Sequence, residues 1–172
     1  MKPLLLLTAV AAVASAQANP DATGWSAATW GMTAQQVQAA FPAARAVNPP
    51  EKDTGLFIRL ASSPVQLGTF PAKAEFEFPP DRDYLSAVQV SVDASRNRPD
   101  AFESLKSSLT EKYGRPTSSD SVTDYNTFGN AIVTKSVIWR VKSSMITLTW
   151  IEATSVGMVL VRYAERKPDP TL

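Results

Sequence analysis

Glu75 and Glu77 are the two residues whose spacing comes nearest to a reactive pair. Two positions apart in an extended segment, they point to the same side about 7 Å from each other, a separation within the range of paired-carboxylate glycosidases. Lys73 beside them offers the plainer alternative of a charged strand face in solvent. Asp81 and Asp83 flank Arg82 in Pro79-Pro80-Asp81-Arg82-Asp83, where acids suit a turn through local hydrogen bonding. A calcium loop would need more oxygen ligands at ordered spacing. Ser104, Ser107 and Ser108 lie near Lys106 and Lys112, but the S-x-x-K and G-x-S-x-G arrangements of activated serines are missing. The seven glycines are dispersed, so no phosphate-cradling loop is expected.

The chain has no cysteine and no histidine among its 172 residues. That removes disulfides, thiol nucleophiles, iron–sulfur clusters and Cys-bearing zinc sites. It also removes the Ser-His-Asp triad and the commonest acid–base group near neutral pH. Carboxylate, Lys, Tyr, Ser and Thr chemistry remains, and no cofactor, metal or catalytic residue is expected. Trp25, Trp30, Tyr84 and Tyr125 fall outside or at the ends of the regular pattern, where a large side chain either seals a core edge or meets a partner. Trp, Tyr and Arg dominate binding hot spots. The expected partner-contacting residues are therefore Trp30, Arg82 and Tyr84.

The elements that position these residues can be read from caps and periods. Thr33 with Gln36 three residues on makes a capping box, and Val37, Ala40 and Phe41 form one apolar stripe before Pro42 stops the helix. A second helix starts at Pro99, carries Phe102, Leu105, Leu109 and Tyr113 on one stripe, and ends at Gly114. Strands are expected at Leu56–Leu60, Phe70–Phe78 and Leu85–Val92 after the first helix. Four more are expected after the second, at Ser121–Phe128, Ile132–Lys142, Met145–Glu152 and Val156–Ala164. In the second strand Ala74, Phe76 and Phe78 alternate with Lys73, Glu75 and Glu77, a period of two that buries one face and wets the other. Residues 19–28 read as a polar lead-in.

The expected fold is α+β: two helix-plus-antiparallel-strand halves forming a mainly antiparallel sheet, with short helices packed on one face. Residues 1–18 read as a signal peptide, with Lys2, an apolar run from Leu4 to Val13, and small-x-small cleavage sites ending at Ala16 and Ala18. Residues 19–172 are expected to be a single domain, in which 30–92 and 98–164 form a pseudo-repeat. The chain carries 17 basic and 16 acidic side chains; removal of Lys2 with the leader brings them level. A neutral balance without a basic run argues against nucleic acid. No membrane span and no lipid anchor are expected, the latter because acylation needs a Cys.

Gly31-Met32-Thr33-x-x-Gln36-Val37-x-x-Ala40 resembles the helix-opening motif of the small outer-membrane assembly proteins of the SmpA/OmlA (BamE) family, and of repeats in β-lactamase-inhibitor-like proteins. The resemblance covers about a dozen residues. The chain departs from the assembly lipoproteins in lacking their lipid-bearing Cys, in Pro42, and in its second helix-plus-sheet half. What the resemblance implies is a small exported α+β module that binds proteins and catalyses nothing. The expected function is thus a periplasmic or secreted binding or inhibitor-like module whose partner is another envelope or secreted protein. The alternatives are an exported carboxylate-dependent hydrolase and a carrier of a small apolar ligand.

Overall fold

The computed structural model describes residues 21–47, 58–79, 81–92, 99–153 and 156–166. In chain order the elements are β1 (Gly24–Trp25), β2 (Ala28–Thr29), α1 (Ala34–Ala40), β3 (Arg45–Ala46), β4 (Ile58–Leu67), β5 (Phe70–Phe78) and β6 (Ala87–Val92). They continue with α2 (Pro99–Tyr113), β7 (Ser118–Tyr125), β8 (Ala131–Arg140), β9 (Ser144–Ala153) and β10 (Val156–Glu165). The proposed leader, residues 1–18, lies outside the described residues.

Both helices begin or end for the local reasons expected. The Thr33 hydroxyl accepts from the Gln36 N–H at 3.3 Å, and the Thr33 N–H donates to Gln36 Oε1 at 2.8 Å. Two otherwise free backbone donors are thereby satisfied reciprocally. Phe41 leaves the helical region at φ −127°, ψ 82°, as a residue before proline must. At the end of α2 the Gly114 N–H donates to the Thr110 carbonyl at 2.8 Å with φ 80°. The Gly114 carbonyl then accepts the Trp139 indole N–H at 3.0 Å, tying the end of the helix to β8.

Eight strands form one antiparallel sheet in the order β3-β4-β5-β6-β10-β9-β8-β7. The chain meanders inward from β3 to β6, crosses through α2 to the far edge, and meanders inward again from β7 to β10. The two runs meet at the centre, where Val88, Val90 and Val92 face Tyr163, Val161 and Val159. Alternate residues point to the core: Phe76 on β5, Val90 on β6, Val161 on β10, Leu148 on β9 and Val137 on β8 are all buried. Val37 of α1 and Phe102, Leu105 and Leu109 of α2 join the same core.

The mixed α+β character and the mainly antiparallel sheet are as expected; the helical cover is thinner than expected. α2 lies against β9 and β10, whereas α1 has seven residues and meets the sheet through Phe41, whose ring centroid is 4.8 Å from that of Phe76. Part of the core is closed instead by β1 and β2, in the stretch read as a polar lead-in. Trp25 stacks on Phe41 at 5.9 Å and tilts on Phe76 at 6.3 Å. This tight hairpin depends on Gly24, because any Cβ there would collide with the Ala28 carbonyl.

Of the strands, β4 and β7 differ most from expectation, and turn chemistry accounts for the far end of each. β4 runs on to Leu67 through a register shift between Ser62 and Val65; Pro64 in that interval cannot donate to the ladder and is accommodated at the irregularity. Leu56, where the strand was expected to start, is outside the described residues. β7 ends at Tyr125 because Asn126 Oδ1 accepts from the N–H groups of Phe128 and Asn130 at 3.0 and 2.9 Å. That side chain turns the backbone, and leaves Phe128 exposed at the tip.

Candidate functional site

Arg82 and Tyr84 sit together in the connection between β5 and β6. The Arg82 Cζ lies 5.5 Å from the Tyr84 ring centroid, while its Nε is 3.3 Å from Asp81 Oδ2 and its Nη1 is 3.9 Å from Glu165 Oε2. Trp30 comes close through the backbone: Leu85 accepts from the Gly31 N–H at 3.3 Å and donates to the Met32 carbonyl at 2.7 Å. Its indole is turned elsewhere, with Nε1–H donating to Ser144 Oγ at 2.8 Å. Ser144 in turn donates to the Ala22 carbonyl. All three expected contact residues are partly exposed; Arg82 and Tyr84 are adjacent, and the Trp30 indole is turned to the junction between the first segment and the β8–β9 turn.

The carboxylates are placed as ion pairs. Glu75 Oε1 is 2.7 Å from Lys73 Nζ. Glu77, expected on the wet face, is buried, with its Oε2 2.6 Å from Arg162 Nη2. A buried carboxylate needs such a partner, since desolvation otherwise disfavours its charge. Glu75, Glu77, Asp81 and Asp83 line neither the cleft walled by Trp25, Phe41 and Tyr163 nor the one between α2 and strands β7 and β8. Among the described residues no three acidic groups stand close enough to hold a metal ion. Glu75, Glu77 and Asp81 thus each face a cation.

The side of the sheet that carries Glu75 is divided in composition. Across β5 and β6 it presents Lys73, Glu75, Gln89 and Ser91. The Lys73–Ser91 row continues uncharged from β10 to β8 through Leu160, Thr149 and Ser136, and beside it Met158 pairs with Ile151 and Ile151 with Thr134. The Glu75–Gln89 row passes through Arg162 to Thr147 and Ile138. All are at least partly exposed. An antiparallel sheet with one solvated face ordinarily alternates apolar-in with polar-out, and β8, β9 and β10 break that rule by putting Ile138, Ile151, Met158 and Leu160 outside.

These outward residues and Arg162 were not singled out from sequence. Their signal was present: Ile132, Ile138, Met145, Ile151, Met158 and Leu160 occupy positions out of phase with the buried set, so β8 to β10 read as apolar on both faces. Among the described residues no helix is long and apolar enough to cross a membrane. Comparisons with family models, with curated proteins and with solved structures gave no match.

Proposed function

We propose that the chain is an exported, noncatalytic binding module that holds another exported protein against the uncharged part of its sheet. The observation that carries this reading is the outward apolar set on β8, β9 and β10. The set is half-exposed and interleaved with Thr134, Ser136, Thr147 and Thr149, and the largest apolar patch of a domain is often its binding site. Seven residues of strand length by about three strand spacings give roughly 300 Å², less than the ~800 Å² that each partner contributes to a stable interface. The patch therefore acts as the apolar centre of a larger contact, with Lys73 and Glu75 on one flank as its polar rim. Arg82 and Tyr84 supply further polar contacts at the end of the sheet; Trp30 is read as a sealing residue.

In this reading α1 with β3–β6 and α2 with β7–β10 are two equivalent halves, and both helices lie on the side of the sheet away from the patch. The shared core of Val37, Phe76, Leu105 and Val137 supports that placement. Export is supported by the Lys2, apolar run and Ala-x-Ala pattern of residues 1–18. The test is a photo-crosslinking residue at Met158, compared with one at Ser107 on α2, in cells that export the protein. A discrete protein adduct from position 158, lost on Leu160→Glu and missing from position 107, is expected. Equal labelling from both positions, or none from 158, overturns the reading.

A further inference from the structure

A second surface lies where the two helices end. Trp25, Phe41, Gln66, Lys112, Tyr113 and Tyr163 contribute to the walls of a cleft of about 500 Å³. The size selects the class of occupant: a dry cavity of ~150 Å³ takes a single benzene ring, and drug-sized ligands occupy ~300–1,000 Å³. A molecule of two fused rings with a polar group fits between those limits. Phe41 and Tyr113 close their respective helices, so each half of the chain sends an aromatic ring to the same place.

Three observations define the chemistry. Trp25 and Phe41, stacked on each other with 15° between their planes, make one side of the cleft apolar and aromatic. Tyr113 and Tyr163 are each 5% exposed, yet among the described residues neither hydroxyl has a hydrogen-bond partner in the protein. Buried hydroxyls ordinarily have one. Lys112 lies at the rim, its Nζ 5.1 Å from the Tyr113 ring centroid, and no carboxylate lines the cleft. The polar groups gathered there are donors facing a region with no acceptor of negative charge.

We propose that this cleft binds a small planar carboxylate, its rings against Trp25 and Phe41 and its carboxylate oxygens accepting from Lys112 and from the hydroxyls of Tyr113 and Tyr163. The proposal goes beyond the sheet-face reading and rests on different residues.

The probe is 2-naphthoate, titrated into the full chain by calorimetry and tryptophan fluorescence beside the neutral 2-naphthamide. Saturable one-to-one binding of the acid is expected, weakened at least about fivefold in the amide, in Tyr163→Phe and in Lys112→Met, since each removes a charge-assisted hydrogen bond. Lys112 is exposed, so its replacement leaves the fold intact and keeps the test decisive even where Tyr163→Phe perturbs packing. No saturable binding of the acid, equal binding of acid and amide, or unaltered binding in both variants overturns the proposal. A cleft satisfied by water alone gives the first of these results. Lys112→Met leaves the crosslink from Met158 as in the wild type, so the two proposals fail separately.

Discussion

Arg162 on β10 reaches across β6 to Glu77 on β5, Nη2 to Oε2 at 2.6 Å. Ala87 is the residue of β6 paired with both Glu77 and Ala164, and its small side chain leaves room for the guanidinium to pass. The ion pair thus bridges the two meanders on the side opposite the core. Arg162→Met leaves the Glu77 carboxylate buried without a cation, and is expected to cost about 1–3 kcal/mol. Changing both, Glu77→Met with Arg162→Leu, is expected to recover most of that loss, because an apolar pair of similar volume substitutes well for an ion pair. Urea unfolding of the three variants checks both statements.

Gly157 lies under the indole of Trp150, with room for a hydrogen and nothing larger. A Cβ there would land on the ring atoms Cη2 and Cζ2, and Trp150 is itself buried. Gly157→Ala is expected to destabilise by about 1–3 kcal/mol through overpacking. In a double-mutant cycle with Trp150→Phe the two losses should fall short of additivity, because the smaller ring relieves the collision.

Acid stability should report on Asp21. Its carboxylate accepts from the Ser143 hydroxyl at 2.6 Å and the Ser143 N–H at 2.8 Å, and the hydroxyl bond in particular holds its pKa below the ordinary value of 3.8. The depressed pKa contributes stability that is complete above the unfolded value and lost as pH falls through the folded one. Asp21→Ala should therefore narrow its deficit relative to wild type as pH drops below about 4. Thermal unfolding at pH 6, 4 and 2.5 measures the trend; a deficit constant across that range contradicts it.

Alkaline stability should report on Tyr163. Burial, with Tyr113 nearby, pushes its phenol above the ordinary value of 10. The native state keeps the proton where the unfolded chain releases it, so stability present below pH 10 declines as pH rises past it. The slope is at most about 1.4 kcal/mol per pH unit for one proton. Tyr163→Phe removes this dependence, and its stability relative to wild type should improve between pH 10 and 11.

What could be read in advance follows the range of the cause. Phe70–Phe78 and Pro99–Tyr113 come out with the expected bounds, because alternation, an N-terminal proline and a C-terminal glycine act within a few residues. Glu77 was misplaced because its burial depends on Arg162, 85 positions away, and a glutamate in a period-two strand otherwise reads as solvent-facing. β1 and β2 have two residues each, too few to show a period, so the hairpin that brings Trp25 to Phe41 was invisible. Arg82 and Tyr84 are neighbours through a tight turn and could be paired from spacing alone. The cleft could not: its walls come from β1, the ends of both helices, the β4–β5 turn and β10.

The place of β10 at the centre of the sheet has a consequence in time. Among the described residues it is the last strand in chain order, yet β6 and β9 both depend on it for a neighbour. Until it arrives, β6 is a bare edge and the first meander can bury its inner face only partially. Non-local pairing of this kind slows folding, so a chain emerging from its N-terminus onward stays open until nearly all of it has been released. Under the export proposed above, that delay would keep the chain threadable.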